Sequence, residues 1–157
     1  MPARVDLPAV VTNVLKLYSN KLKSKSIHVE CDFGDYPPIV GLAGELTQAV
    51  SNLISNAADA VSFDGRIRAK ISAAPEADGL WATLIIEDDG PGVPPHLMER
   101  IFEPFFTTKA DVGTGLGLWV TKEIVQRHRG RIEIASKEEA GSHGAILSIY
   151  LPGRPDL

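Results

Sequence analysis

The chain is poor in several things that would each point to a class of protein. It has one cysteine, Cys31, so no internal disulfide can form and the sequence fits a reducing compartment. It has no apolar run near the ~20 residues that a membrane span needs, and its start, MPARVDLP, lacks the apolar core of a signal peptide. The net charge of −4 argues against a nucleic-acid binder, which usually carries a basic face. There are no repeats and no low-complexity tract. No GxxxxGK[ST] loop is present, which excludes a Walker-type phosphate site. What remains is 157 residues with ordinary proportions of hydrophobic (44%) and charged (23%) side chains, enough for one domain over 1–157 with its own core and no linker.

Local patterns set the order of elements. Asp6 can cap a helix running to about Lys23, with Leu7, Val11, Val14, Leu15, Tyr18 and Leu22 on one face. IHVECDF alternates like a strand and Pro37-Pro38 ends it. A second helix covers about 44–61. IRAKISA and LWATLIIE flank Asp78-Gly79 and read as a hairpin. DDGPGVPP is a tight turn, followed by a short helix around 96–101. A third long helix spans 116–128, and RIEIAS and AILSIYL are closing strands. This order predicts an α+β fold, a two-layer sandwich of a mixed, mainly antiparallel sheet with three main helices on one face.

Three stretches carry chemistry. On the second helix Glu45, Gln48, Asn52, Asn56 and Asp59 recur every three or four residues and share a face, opposite Leu46, Val50, Leu53, Ala57 and Val61. An amphipathic helix with a solvated face accounts for this pattern in general. Here, however, no Lys or Arg occurs between Ser26 and Gly65. A stripe of oxygen donors without cations suits Mg²⁺, which takes one or two protein oxygens and leaves the rest to phosphates and water.

The second stretch is Asp88-Asp89-Gly90-Pro91-Gly92 after a buried strand. It reads as a plain turn, or as a carboxylate placed to accept from an exocyclic amine with glycines that let a flat ring approach. The third is FEPFFTTKADVGTGLGL, from Phe102 to Leu118. Gly113, Gly115 and Gly117 lead into a helix whose first turn offers free N–H groups and a positive dipole end. Thr114 adds a hydroxyl and Lys109 a point charge. An aromatic patch beside a glycine-rich run suits a lid, with the aromatics packed at its base.

In this order and spacing the three stretches resemble the ATP-binding catalytic domain of bacterial sensor histidine kinases, in the superfamily shared with gyrase-type topoisomerases, heat-shock chaperones and mismatch-repair ATPases. QAVSNLISNAADA looks like the asparagine box, DDGPGV the first glycine box, FEPFFTTK the phenylalanine box and GTGLGL the second glycine box. The resemblance covers Val5 to Pro152. It implies that Asn56 holds Mg²⁺, with Asn52 one turn before it and Asp59 close by on the nucleotide side. It implies that Asp88 binds the adenine amino group in a pocket shaped by Gly90, Gly92 and Val93. Phe102, Phe105 and Phe106 anchor the lid, and Thr107, Thr108, Lys109, Gly113, Thr114, Gly115 and Gly117 flank or cradle the phosphates of ATP or ADP. Leu116 and Leu118 pack the start of the third helix.

Two positions refine the expectation. Hydrolysing members of the superfamily place a glutamate one turn before the magnesium asparagine; here that position is Asn52, and a neutral amide cannot act as a general base toward water. The expected activity is therefore phosphoryl transfer to a histidine, with Asn52 and Asn56 as the catalytic pair. In such kinases the acceptor histidine is usually followed by an acidic residue. None of His28, His96, His128 or His143 is, and His128 reads as structural. The expectation is that the dimerisation and phosphoacceptor domain is absent from this chain and is a partner, together with the receiver domain of a response regulator. A cytoplasmic domain follows from this, monomeric alone and homodimeric in its parent, touching neither membrane nor nucleic acid, whether or not the parent is membrane-anchored. Gly144 is followed by Ala145 where the family often has threonine, so no nucleotide contact is assigned there.

Overall fold

A computed structural model describes residues 1–105, 117–137 and 143–154. Strand β1 (Ala3–Arg4) leads into α1 (Leu7–Leu17), capped as expected: the Asp6 carboxylate accepts from Ala9 N at 3.1 Å. The first helix does not run on to Lys23. It stops at Tyr18 (φ −95°, ψ 10°) and restarts as α2 (Ser19–Ser24). The Tyr18 hydroxyl lies 2.8 Å from Ser51 Oγ, so the break is pinned to the next helix, and Leu22 still reaches the core.

After β2 (His28–Phe33) and β3 (Val40–Gly41), helix α3 occupies Ala43–Ala60. The hairpin follows as β4 (Arg66–Glu76) and β5 (Gly79–Asp88). Two short 3₁₀ turns, Pro95–Leu97 and Arg100–Phe102, stand where a single short helix was expected. Helix α4 (Gly117–Arg127) and strands β6 (Arg131–Ser136) and β7 (Ala145–Pro152) complete the described chain.

The main sheet has the order β2-β4-β5-β7-β6; β2 pairs with β4 in parallel and the other pairs are antiparallel. A separate two-stranded pairing of β1 with β3, too short to leave a pattern in the sequence, ties the N-terminus down. Alternation along the strands turns Ile67, Ala69, Ile71, Leu84, Ile86, Leu147, Ile149 and Leu151 toward the helices, where all are buried. Each full-size side chain in that layer contributes about 1.5–3 kcal/mol. Helix α3 presents Leu46, Ala49, Val50, Leu53, Ile54, Ala57 and Ala58 to the same core. The opposite sheet face carries charge: Arg68 pairs with both Glu30 and Glu87 across three strands. The polar face of α3 and the end of β5 are thus held together at one rim of the sandwich.

Candidate nucleotide site

The Asp88 end of the candidate site is built from backbone. Asp88, the last residue of β5, is 4% exposed. Its Oδ1 accepts from Gly90 N at 2.9 Å and from Ala145 N at 3.2 Å. Both bonds fall on one oxygen, which leaves Oδ2 as an oriented acceptor. Burial pushes the Asp88 carboxyl above its usual value, and neighbouring Asp89 adds to the rise. The Gly90 and Ala145 amides and the charge of Lys137 pull the other way.

Three glycines fix this geometry. A Cβ on Gly90 would lie 2.7 Å from the Ala60 carbonyl oxygen at the end of α3. Gly144 (φ +139°) is so close that a Cβ would run into the Asp88 carbonyl oxygen. Gly92 (φ +79°) turns the loop back toward Ser136. There the Ser136 hydroxyl accepts from Val93 N and donates to Val93 O, each at 3.0 Å, so Val93 is held at both ends of its peptide. His143 Nδ1 is 2.7 Å from Gly90 O, closing the loop from the β7 side.

Sequence reasoning named Asp88, Gly90, Gly92 and Val93. It missed Ser136 and His143, whose contacts span 43 and 53 residues. It also left Gly144-Ala145 without a role, yet Gly144 is the closest backbone approach at this end and the Ala145 amide orients the carboxylate. The one available signal was a glycine directly before a clean strand pattern.

The α3 face differs from its reading as a stripe without cations. The cations come from other helices. Lys21 of α2 forms an ion pair with Asp59, and Arg127 at the end of α4 lies 3.4 Å from Glu45. Lys25 Nζ donates to the Ala58 and Val61 carbonyls and caps the end of α3. Asn52 Nδ2 donates to Gly117 O at 3.1 Å and to Thr121 Oγ1 at 3.2 Å, both on α4. The structure therefore brings Asn52 to the start of α4, Asp59 to Lys21, and sets Asn56 between them. Among the described residues no cluster of three or more His, Cys, Asp or Glu could hold a metal. One amide oxygen on this face fits a hard cation that arrives with phosphates, and does not fit a metal held by protein alone.

Where the sequence predicts the base of a lid, Ile101 is buried, and Phe102 packs against the core with Lys122 Nζ 5.7 Å from its ring centre. Phe105 is 73% exposed and adopts φ +66°. Gly117 begins α4 and Leu118 packs on the core. Phe106, Thr107, Thr108, Lys109, Gly113, Thr114, Gly115 and Leu116 lie outside the described residues. His128 is structural as expected: its Nδ1 bonds Ile124 O at 2.8 Å, and Nε2 accepts from Leu42 N at 3.0 Å, which fixes the Nδ1–H tautomer.

A buried carboxylate beside a glycine-shaped loop, facing an asparagine-bearing helix, is the arrangement of an ATPase-type nucleotide domain. Residues 41–155 match the family described as histidine kinase-, DNA gyrase B- and HSP90-like ATPase, and the chain belongs to it. Within that family its sequence and fold are similar to the ATP-binding catalytic domains of sensor histidine kinases. It is similar to the two-component sensor PprA of Pseudomonas aeruginosa, 38% identical over 94% of this chain and 16% of that protein. Among solved structures, the mycobacterial sensor histidine kinase MprB superposes with a TM-score of 0.82 at 30% identity, over 99% of this chain and 98% of that one. ShkA, solved at full length with AMPPNP, gives 0.82 at 26% identity, over 96% of this chain and 31% of that one. The chain thus spans only a part of its full-length relatives.

Proposed function

We propose that this chain binds ATP with Mg²⁺ and presents the γ-phosphoryl group to a histidine on a separate dimerisation domain, for relay to the receiver domain of a response regulator. The observation that carries this reading is Asp88: one carboxylate oxygen is held by two backbone amides and the other is left to accept from the adenine amino group. Gly90, Gly92 and Val93 form the wall against which the base lies. Asn56 would hold the metal; when bound, Mg²⁺ neutralises phosphate charge during transfer. The catalytic contribution of the protein is then positioning and electrostatics. Asn52 is occupied in joining α3 to α4 and, as an amide, takes no proton from water, which favours transfer over hydrolysis. AMPPNP in ShkA supports the nucleotide class. The parent's assembly as a homodimer, with this domain facing the cytoplasm, belongs to the same reading; among the described residues no helix is long and apolar enough to cross a membrane.

Two measurements test it. Calorimetric titration of ATP should show binding that weakens without Mg²⁺ and in Asn56→Ala. Incubation with ATP and a supplied dimerisation domain should give an acid-labile phosphoryl adduct. An acid-stable adduct would instead indicate a serine kinase on the same fold, and ATP binding without any transfer would indicate a sensor or docking module.

A further inference from the structure

We propose that Thr121 is a positioning residue: with the Asn52 amide it latches the first turn of α4 to α3 and so sets the phosphate end of the nucleotide site. The inference rests on the nucleotide reading above and adds to it a residue that none of the four sequence boxes contains.

The latch is a closed set of three hydrogen bonds. The Thr121 hydroxyl donates to Gly117 O at 2.8 Å. The two hydrogens of Asn52 Nδ2 go to that same carbonyl at 3.1 Å and to Thr121 Oγ1 at 3.2 Å. A threonine bonding the carbonyl four residues back is ordinary in helices and explains the first bond. It does not explain the other two, which come from a side chain 65 and 69 residues earlier. Thr121 is fully buried, at 0% exposure, and is one of four buried polar residues among those described. A buried polar group is tolerated when its partners are complete, and here each donor has its acceptor.

The position of the latch gives it its role. Gly117 is the first residue of α4, where unpaired N–H groups and the positive end of the helix dipole face any bound phosphate. Asn52 lies one turn before Asn56 on α3. The latch therefore fixes the distance between the helix that would hold the metal and the helix start that would hold the phosphates. A Cβ at Gly117 would sit 3.9 Å from Asn52 Cβ, an ordinary contact, so the latch rests on the three hydrogen bonds and not on the glycine. Replacing Thr121 with valine keeps the volume, removes the hydroxyl and leaves one Asn52 hydrogen without an acceptor.

The experiment compares wild type, Thr121→Val and Thr121→Ser. Affinities for ATP·Mg²⁺ and for adenosine are measured by NMR titration, and amide exchange over 117–122 is followed without nucleotide. Loss of a buried bond of this kind corresponds to about a five- to tenfold change in an equilibrium constant. Thr121→Val should weaken ATP by that factor, leave adenosine within twofold, and speed exchange over 117–122 severalfold; Thr121→Ser should restore all three. A valine variant that weakens ATP and adenosine equally has lost general stability, and the positioning role falls. Unchanged exchange overturns the latch itself. If wild type binds no ATP, the nucleotide reading fails, and the exchange data alone still decide whether Thr121 and Asn52 hold the start of α4.

Discussion

The two ends of the candidate nucleotide site are built differently. At the Asp88 end the geometry is made by backbone: amides on one carboxylate oxygen, and glycines 90, 92 and 144 placed where a Cβ would collide or the chain turns left-handed. At the α3–α4 end it is made by side chains paired over long sequence distances: Asn52 with Thr121, Asp59 with Lys21, Glu45 with Arg127. The first kind tolerates almost no change at its glycines. The second should degrade by steps, one bond at a time.

The largest effect should come from the backbone end. Gly144→Ala drives a Cβ into the Asp88 carbonyl at a φ that side chains rarely adopt. It should cost on the order of 3 kcal/mol or more and abolish ATP binding. Thermal unfolding checks it; a variant with wild-type stability would show that the loop relaxes freely and that the contrast between the two ends is false.

Next is Asp88→Asn. Its carbonyl oxygen can still accept from Gly90 and Ala145, so the fold should be kept, but an NH₂ donor now replaces Oδ2. An amine facing a donor should lose ATP affinity by about 10- to 100-fold, with little change in melting temperature. Equal loss of stability and affinity would make Asp88 a structural residue only.

The pH dependence sharpens the same point. Burial raises the Asp88 pKa in the folded chain, so folding favours its protonated form. Its contribution to the stability of the free chain is full below the unfolded value and is lost as pH rises through the raised one. If Asp88 accepts from the adenine amine as proposed, nucleotide binding needs its ionised form and should run the other way, weakening as pH falls through that same raised value. Titrations at several pH values should show this slope in wild type and lose it in Asp88→Asn, which also controls for titration of the nucleotide.

This contrast explains what could be read in the sequence. Where local geometry demands a residue type, as in the Asp6 cap, the Asp78-Gly79 turn or the glycines after Asp88, the pattern was visible. The five main strands and the second and third long helices followed from periodicity; the order of the strands in the sheet did not. The break at Tyr18 was not visible, because its anchor is Ser51 on another helix. The cations that face the α3 stripe were not visible for the same reason: they lie on α2 and α4, brought in by packing alone. Thr121 left no mark, since a threonine in an amphipathic helix looks like filler until Asn52 is placed beside it.

The smallest expected effect is also the one that most sharpens the side-chain half of the comparison. The family resemblance places Asp59 on the nucleotide side, and in the structure its carboxylate forms an ion pair with Lys21, with the two side chains 19% and 38% exposed. A pair this open contributes about 0.5–1 kcal/mol. Asp59→Asn should lower the melting temperature slightly and leave ATP·Mg²⁺ affinity within twofold. Lys21→Met should also lower stability, and a double-mutant cycle should show a coupling energy between the two positions. A tenfold loss of affinity in Asp59→Asn but not in Lys21→Met would place Asp59 at the nucleotide. The α3 face would then have two tasks at that position, structural without ATP and ligating with it, and its ion pair with Lys21 would be one that nucleotide binding has to break.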